Sequence, residues 1–149
     1  MKVVRGAGQF QLHLSQHEKI LLLEVLKLYP RISSAHHRLS KSSNLPNLAA
    51  DQRLLDEALA EQRAKNKQQL DELLANPQRF EETPKSLRLS LSRAEFEWLL
   101  QILNDIRVGS WIHLGSPEDL RPPLNEVNAT HFWNMEMASY FEAQLLDAL

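Results

Sequence analysis

The sequence has 149 residues, with 17 Lys and Arg against 19 Asp and Glu, and no Cys. This length suits one domain with a single hydrophobic core. The content of 43% hydrophobic and 24% charged residues is typical of a globular protein and argues against wholesale disorder. The net charge of −2 argues against a dedicated nucleic-acid binder, which needs a surplus of Lys and Arg. Without Cys, the chain has no disulfide, thiolate nucleophile or Cys-ligated zinc site.

The sequence contains no evident targeting or membrane segment. Its N-terminal residues lack the apolar core of a signal peptide. The longest purely apolar run, Ile20–Leu23, is far shorter than the roughly 20 residues that span a bilayer. We therefore expect a cytoplasmic protein that does not associate with a membrane.

The first predicted element is a β-hairpin over residues 2–14, where apolar and polar residues alternate around a Gly-rich turn. The period changes to that of a helix at Ser15, because Ser15 and Glu18 form a capping-box pair that satisfies exposed backbone N–H groups. This helix is predicted to end near Tyr29, since Pro30 does not favour its continuation.

Residues 31–50 are rich in Ser and include the adjacent His36 and His37. A stretch of this length without periodicity predicts a mobile loop. A second helix is predicted from about Leu48 to Ala75, and its apolar residues fall into two clusters on one face. Because the residues between the clusters are polar, we expect the middle of this helix to project from the core or bridge over it.

Residues 76–86 contain two Pro and predict a linker. After them, Leu89–Glu95 repeats the pattern of Leu12–Glu18 at an offset of 77 residues. Each copy consists of an alternating strand, a Ser-x-x-Glu cap and an amphipathic helix. We therefore expect residues 10–28 and 87–105 to place their strands side by side and to pack their helices together.

The helix of the second copy is predicted to end at Gly109, a residue type common just beyond a helix C-terminus. Ser116–Asp119 predicts one short helix, with Ser as its cap and Pro at its first position. The last helix begins between Asn125 and Thr130. The chain is thus predicted to be mainly α, a single domain of about four helices with a two- or three-stranded antiparallel sheet from the N-terminal hairpin and residues 87–91.

The run from Trp98 to Arg107, followed by Leu114–Gly115, resembles the signature of an uncharacterised bacterial family, the domain of unknown function numbered two-zero-one-seven. The likeness extends over nearly the full length, but only this motif is specific. The sequence departs from it at His113, where related sequences tend to carry Arg. The resemblance implies a small, cytoplasmic, mainly helical protein, with a regulatory role suggested for some members. A role based on a redox-active Cys pair does not transfer to a chain without Cys.

The arrangement of polar residues predicts no enzyme, no metal site and no cofactor. His13 and His17 have the four-residue spacing of helical metal ligands, but one falls on a strand and the other in a helix. The adjacent His36 and His37 point in different directions. The Ser residues lie in loops or at caps rather than in a nucleophile motif, and no Gly-rich phosphate loop is present.

Trp98, Asn104, Asp105, Arg107 and Trp111 form a candidate polar site, for recognition or for structure. In the structural interpretation, Arg107 complements the negative end of its helix, and Asn104 and Asp105 hydrogen-bond locally or across the chain. Asp105 is unfavourable so close to a helix C-terminus, so we expect it to have a partner. The structural interpretation is favoured.

Trp133, Met137, Phe141 and Leu145 form a candidate interface, because they recur every four residues along the last helix, with Tyr140 as an alternative to Phe141. Exposed apolar stripes tend to be contact surfaces, and a self-complementary stripe produces a homodimer. We therefore predict a non-catalytic protein-interaction module, a regulator or adaptor, with an unidentified protein or a second copy as partner.

The alternative function is a DNA-binding transcriptional regulator that uses the basic region 31–67. This region contains most of the clustered Arg, Lys and His residues. In its helical part, however, the positive charges are interleaved with Glu57 and Glu61. Because interleaved charges are typical of a solvated face, a nucleic acid is the less favoured partner.

Overall fold

The structure, a computed structural model, describes residues 1–32, 48–119 and 122–149. The described residues contain four α-helices and one four-stranded antiparallel sheet. In chain order the elements are β1 (Lys2–Gly6), β2 (Gln9–Leu14), α1 (Gln16–Leu26), α2 (Leu48–Ala75), β3 (Phe80–Glu82), β4 (Leu87–Ser92), α3 (Arg93–His113) and α4 (Ala129–Leu146). Most of the predicted loop 31–50 lies outside the described residues.

The sheet has the strand order β1-β2-β4-β3, so the prediction of only two or three strands is wrong. The additional strand, β3, lies inside the segment 76–86 that the sequence predicts to be a linker. Pro77 and Pro84 flank this strand, and it contains only Phe80 and two Glu. Three residues are too few to establish an alternating pattern, and acidic residues are depleted in strands.

The two halves of the sheet repeat at the same offset of 77 residues as the sequence. Val3 pairs with Leu12 between β1 and β2, and the equivalent residues Phe80 and Leu89 pair between β3 and β4. In the centre of the sheet Leu12 pairs with Leu89, its own equivalent. The predicted pairing of two strand–helix units is confirmed, and each unit is a complete ββα element. The register places an approximate two-fold axis at the central pair of leucines.

Both helices of the repeat begin with a complete capping box. The Ser15 Oγ accepts a 3.1 Å hydrogen bond from the Glu18 N–H, and the Ser92 Oγ accepts one of the same length from the Glu95 N–H. Burial by itself raises the pKa of Glu95, but hydrogen bonds from Arg79 and from the Ser92 backbone hold it below its usual value. The carboxylate is therefore the stable form in the cap.

Replacing Ser92 with Ala is expected to lower the free energy of unfolding by about 0.5–2 kcal/mol, because the cap of α3 loses its acceptor. Ser15→Ala is the matched variant, since it removes the equivalent cap of α1. Denaturant unfolding of the two variants measures both effects. A Ser92→Ala protein as stable as the wild type would contradict this role of the cap.

One hydrophobic cluster joins the sheet to the helices. The buried residues of β2 and β4 pack beneath α1 and α3, and the rings of Phe10 and Phe96 stack with centroids 4.0 Å apart. Alternate positions of both strands supply this layer, namely Phe10, Leu12 and Leu14 with Leu87, Leu89 and Leu91. The period of two in the sequence thus corresponds to one buried and one more exposed face of the sheet.

Only the C-terminal part of α2 is buried in the core. Leu70 and Leu73 belong to the hydrophobic cluster, whereas Leu54, in the first half of the helix, is 61% exposed. Between them, the Asn66 side chain donates to the Tyr29 hydroxyl at 3.0 Å. The first half of this ~42 Å helix therefore extends away from the core, whereas the prediction placed the projecting or bridging part in the polar middle, where Asn66 in fact makes a contact.

The C-terminus of α3 differs from the prediction, since the helix continues through Gly109 to His113. Gly115 is the terminating glycine, with φ of 91°, and its N–H donates to the Ile112 carbonyl at 2.9 Å. The Ser116 N–H donates to the Trp111 carbonyl at 3.1 Å, which completes a Schellman motif. The short helix predicted at residues 116–119 does not form, and Ser116, its predicted cap, has a positive φ of 52° instead of the extended conformation usual at a cap.

Among the described helices, none combines the length and the apolar character needed to cross a lipid bilayer.

Candidate docking groove between the last two helices

The five residues of the predicted polar site lie in different surroundings. The Trp98 indole N–H donates to the Asn66 side-chain oxygen at 3.3 Å and joins α3 to α2. Asp105 contacts the segment that follows α1. Asn104 and Arg107 contact one another on the side of α3 next to α4, and Trp111 follows on this side. Only the last three therefore contribute to the same part of the surface.

Asp105 has the partner that its unfavourable position predicts. Its Oδ1 accepts hydrogen bonds from the backbone N–H groups of Arg31, at 2.7 Å, and Ile32, at 3.3 Å. One turn later, a Cβ at Gly109 would lie 2.6 Å from Arg31 atoms. The segment after α1 thus packs against α3 at Asp105, which binds its N–H groups, and at Gly109, which has no side chain to obstruct it. These contacts explain why both residue types occur inside a helix.

The Arg31 side chain continues from this contact to a pair of histidines. Its Nη2 donates to the His131 Nδ1 at 2.7 Å, and the His131 and His113 ring centroids are 5.3 Å apart. His113 in turn hydrogen-bonds the Gly109 carbonyl through its Nδ1 at 2.7 Å. Burial lowers the pKa of His131, and the charges of Arg31 and His113 lower it further. The neutral ring is thus favoured, and its Nδ1 can accept from the guanidinium.

Lowering the pH from about 7 to about 5 is expected to reduce stability through His131, whose folded pKa lies below its ordinary value of 6.5. As the pH falls through 6.5, the His131 ring takes up a proton in the unfolded state at a higher pH than in the folded state. The free energy of unfolding therefore decreases from its value at pH 7. His131→Gln keeps an acceptor without titrating in this range and should flatten the pH dependence. Denaturant unfolding at the two pH values tests this. If the free energy of unfolding changes with pH as much in the variant as in the wild type, the prediction is wrong.

Arg107 bridges α3 and α4. Its Nε donates to the Glu142 carboxylate at 2.8 Å, and its Nη2 donates to the Asn104 side-chain oxygen at 2.6 Å. Because only 14% of the Glu142 side chain is exposed, this pair is better shielded from water than a typical surface pair. Arg107 thus fixes the spacing of the two helices beside the groove between them.

The groove lies between α3, α4 and the turn that follows α3, and has a volume of about 620 Å³. A smaller depression of about 240 Å³ continues from it towards Leu146. Arg107 and Ser139 line both. The larger part is lined by Arg107, Val108, Trp111, Pro117, Glu118, Met135, Glu136 and Ser139.

The turn after α3 forms one wall of the groove. The positive φ angles of Gly115 and Ser116 reverse the chain, so that the Pro117 carbonyl accepts a 3.0 Å hydrogen bond from the Trp111 indole. This bond satisfies the single donor of the indole and fixes its position. Met135 is only 7% exposed but does not belong to the main hydrophobic cluster. It therefore contributes to the groove rather than to the core.

The predicted interface on α4 is wrong for most of its residues. Phe141 and Leu145 are each 1% exposed and belong to the core, and Met137 is partly buried against that core. Only Trp133 is on the surface, with 53% of its area exposed. The period of four correctly identifies an apolar stripe, but a period alone does not distinguish the face that packs on its own domain from a face that binds a partner.

The exposed apolar residues on α4 occupy other positions. Among the described residues nine large hydrophobic side chains are exposed, and six of them follow residue 121. These six are Leu124, Val127, Trp133, Tyr140, Leu146 and Leu149. The exposed apolar surface of the described chain is thus concentrated on and around α4.

The basic region of the alternative hypothesis is described only in part, since His36 and His37 lie outside the described residues. In α2, Arg53 pairs with Glu57 at 3.8 Å, and Lys67 pairs with Asp71 at 3.1 Å. These i,i+4 pairs correspond to the solvated face that the sequence predicts. Over the described ranges, no group of three or more His, Cys, Asp and Glu side chains could hold a metal ion.

Comparisons of the chain with protein-family models, with curated proteins and with solved structures found no match. The resemblance of Trp98–Arg107 to an uncharacterised bacterial family therefore stays a prediction.

Proposed function

We propose that this chain is a non-catalytic, cytoplasmic protein-interaction module, a regulator or adaptor that binds its partner through α4 and the adjoining groove. The observation that carries the proposal is the concentration of exposed apolar side chains after residue 121. Trp133 and Leu146 are each more than half exposed on one helix. Exposed apolar surface concentrated in one part of a protein is typical of a site for association.

The chemistry of these side chains supports association. Trp is among the residues that contribute most to binding when an interface excludes water. Burial of apolar surface is favourable by roughly 25 cal/mol per Å². Tyr140 adds an aromatic ring with a polar group, and its hydroxyl lies 3.4 Å from the Glu18 carboxylate. The α4 surface thus combines apolar area with a few oriented polar atoms.

The test is to replace Trp133 with Glu and to use Leu54→Glu as the matched control. Leu54 is exposed to a similar extent but lies on α2. Affinity capture and sedimentation velocity are measured for both variants and the wild type. We expect Trp133→Glu to lose the captured protein or the self-associated form, and Leu54→Glu to retain it. Retention by both variants would contradict the proposal.

A further inference from the structure

We infer that the groove between α3 and α4 binds an amphipathic helical segment of another protein, one that places a large apolar side chain between Lys or Arg residues. This inference rests on the proposed function and adds the chemistry of the partner. Three properties of the groove carry it: its length, its apolar wall and the carboxylates at its rim. The absence of Lys and Arg from α4 then argues against a second copy of this helix as the occupant.

The groove is long enough for a short helix. It follows α4 from Met135 to Leu146, because the larger part and the smaller depression share Arg107 and Ser139. Eleven residues along a helix span ~16 Å, which equals about three turns of a bound helix. Helices commonly bind in such grooves through apolar side chains at i, i+3, i+4 and i+7.

The larger part of the groove suits an apolar side chain. Val108, Trp111, Pro117 and Met135 contribute to its lining. The indole N–H already donates to the Pro117 carbonyl, so it needs no hydrogen bond from a ligand. Met is flexible and polarizable, and Met side chains adapt to the shape of different apolar groups. An incoming Leu, Phe or Met side chain would therefore bury area here without leaving the indole donor unpaired.

The rim of the larger part is acidic. Glu118 and Glu136 are exposed, and neither makes an ion pair with any described residue. The charge of Arg107 is offset by its ion pair with Glu142. The two carboxylates therefore leave a local negative potential beside the apolar wall. Complementary charges at a rim increase the association rate and discriminate between partners.

A second copy of α4 is a poor occupant of this groove. The helix contains two Glu and no Lys or Arg. The rest of the sequence from position 122 onwards also lacks Lys and Arg, and it adds further acidic residues. A symmetry-related α4 would bring the Glu136 carboxylate of one copy near the acidic rim of the other. Like charges at an interface disfavour association. The groove thus favours a different protein with a basic amphipathic segment.

Synthetic peptides test the inference on the full chain. The first is a 15-residue helical peptide with Leu and Phe on one face and Lys beside them. The second replaces each Lys with Glu, and the third scrambles the first so that its apolar face is lost. Isothermal titration at low and moderate salt measures binding. We expect the Lys peptide to bind at least about tenfold more tightly than either of the others, and more weakly as salt increases.

Two kinds of variant locate the binding. Ser139→Trp places an indole in the groove and should weaken binding of the Lys peptide at least about tenfold. Leu54→Trp adds the same indole at an exposed position on α2, away from the groove, and should leave binding unchanged. Glu118→Gln with Glu136→Gln should weaken binding about 3- to 10-fold and reduce its salt dependence. This exposed pair does not affect packing, so it tests the groove even if Ser139→Trp does not fold.

The outcomes separate the inference from the proposed function. Equal binding of the Lys and Glu peptides, or binding of the Lys peptide unaffected by both kinds of variant, would overturn the inference. If Trp133→Glu abolishes partner capture in that case, the proposed function still stands, with a partner of different chemistry. If peptide binding follows the expected pattern but Trp133→Glu retains its partner, the groove is the binding site and the exposed aromatic face is not.

Discussion

Replacing either Leu12 or Leu89 with Ala is expected to lower the free energy of unfolding by about 2–5 kcal/mol, the cost of removing a buried leucine side chain and leaving a cavity. Both residues are at most 2% exposed, and they face one another where β2 and β4 pair. Because each occupies the equivalent position of its ββα unit, the two losses should be similar. Urea unfolding monitored by circular dichroism measures them.

The double variant provides an internal check. Since Leu12 and Leu89 share one environment, their cavities merge, and the combined loss should differ from the sum of the single losses. Val4→Ala is the matched control, because Val4 belongs to the same sheet but is 38% exposed. Its effect should stay below about 1 kcal/mol. A loss below that value at Leu12 or Leu89, or additive losses, would contradict the central pairing.

Replacing Gly109 with Ala is expected to destabilise the protein by at least about 1–3 kcal/mol. The direction of this change in stability is informative, because Gly→Ala in the interior of an unobstructed helix stabilises the protein by about 1 kcal/mol. Here the added Cβ would lie 2.6 Å from the backbone and side chain of Arg31. Backbone atoms of that segment would have to move, and the hydrogen bonds to Asp105 would lengthen. Thermal unfolding of the variant measures the loss.

The neighbouring position supplies the control for Gly109. Ser110 is fully buried, and its hydroxyl has no hydrogen-bond partner among the described residues. Ser110→Ala should therefore leave stability unchanged or increase it, since an unsatisfied buried hydroxyl is removed. Opposite effects of Ala at two adjacent positions would locate the steric contact at Gly109. If Gly109→Ala stabilises the protein, the contact with Arg31 is absent.

Much of the fold could be predicted because the same strand–cap–helix pattern occurs twice in the sequence. The alternating strand and the Ser-x-x-Glu cap occur at Ser15 and again at Ser92, and both capping boxes form. The same offset leads from β1 to β3, so the fourth strand could have been inferred from the repeat, although its own three residues give no alternating pattern. Gly109 misled the prediction for α3 because its role is a contact distant in sequence rather than a helix end.

The candidate site could be predicted less well, and for a different reason. The spacing of Phe141 and Leu145 shows which residues share a helix face, but it does not show that this face packs on the domain's own core. The groove depends on the reversal at Gly115 and Ser116, which places Pro117 against Trp111. The contact of Arg31 with His131 joins residues separated by 100 positions. Such contacts leave no local periodicity in a sequence.

The most direct test of the central claim, that two ββα units meet at β2 and β4, is a disulfide between these strands. The chain contains no Cys, so a double variant with Cys at Gln11 and Ser90 introduces the only thiols. These positions pair directly in the sheet, within the separation that a disulfide can bridge. Cys at Gln11 and Glu81 is the control, since β4 lies between these strands and separates them by ~10 Å. After mild oxidation, mass spectrometry should detect a disulfide in the first variant alone; its absence there, or equal formation in both, would contradict the claim.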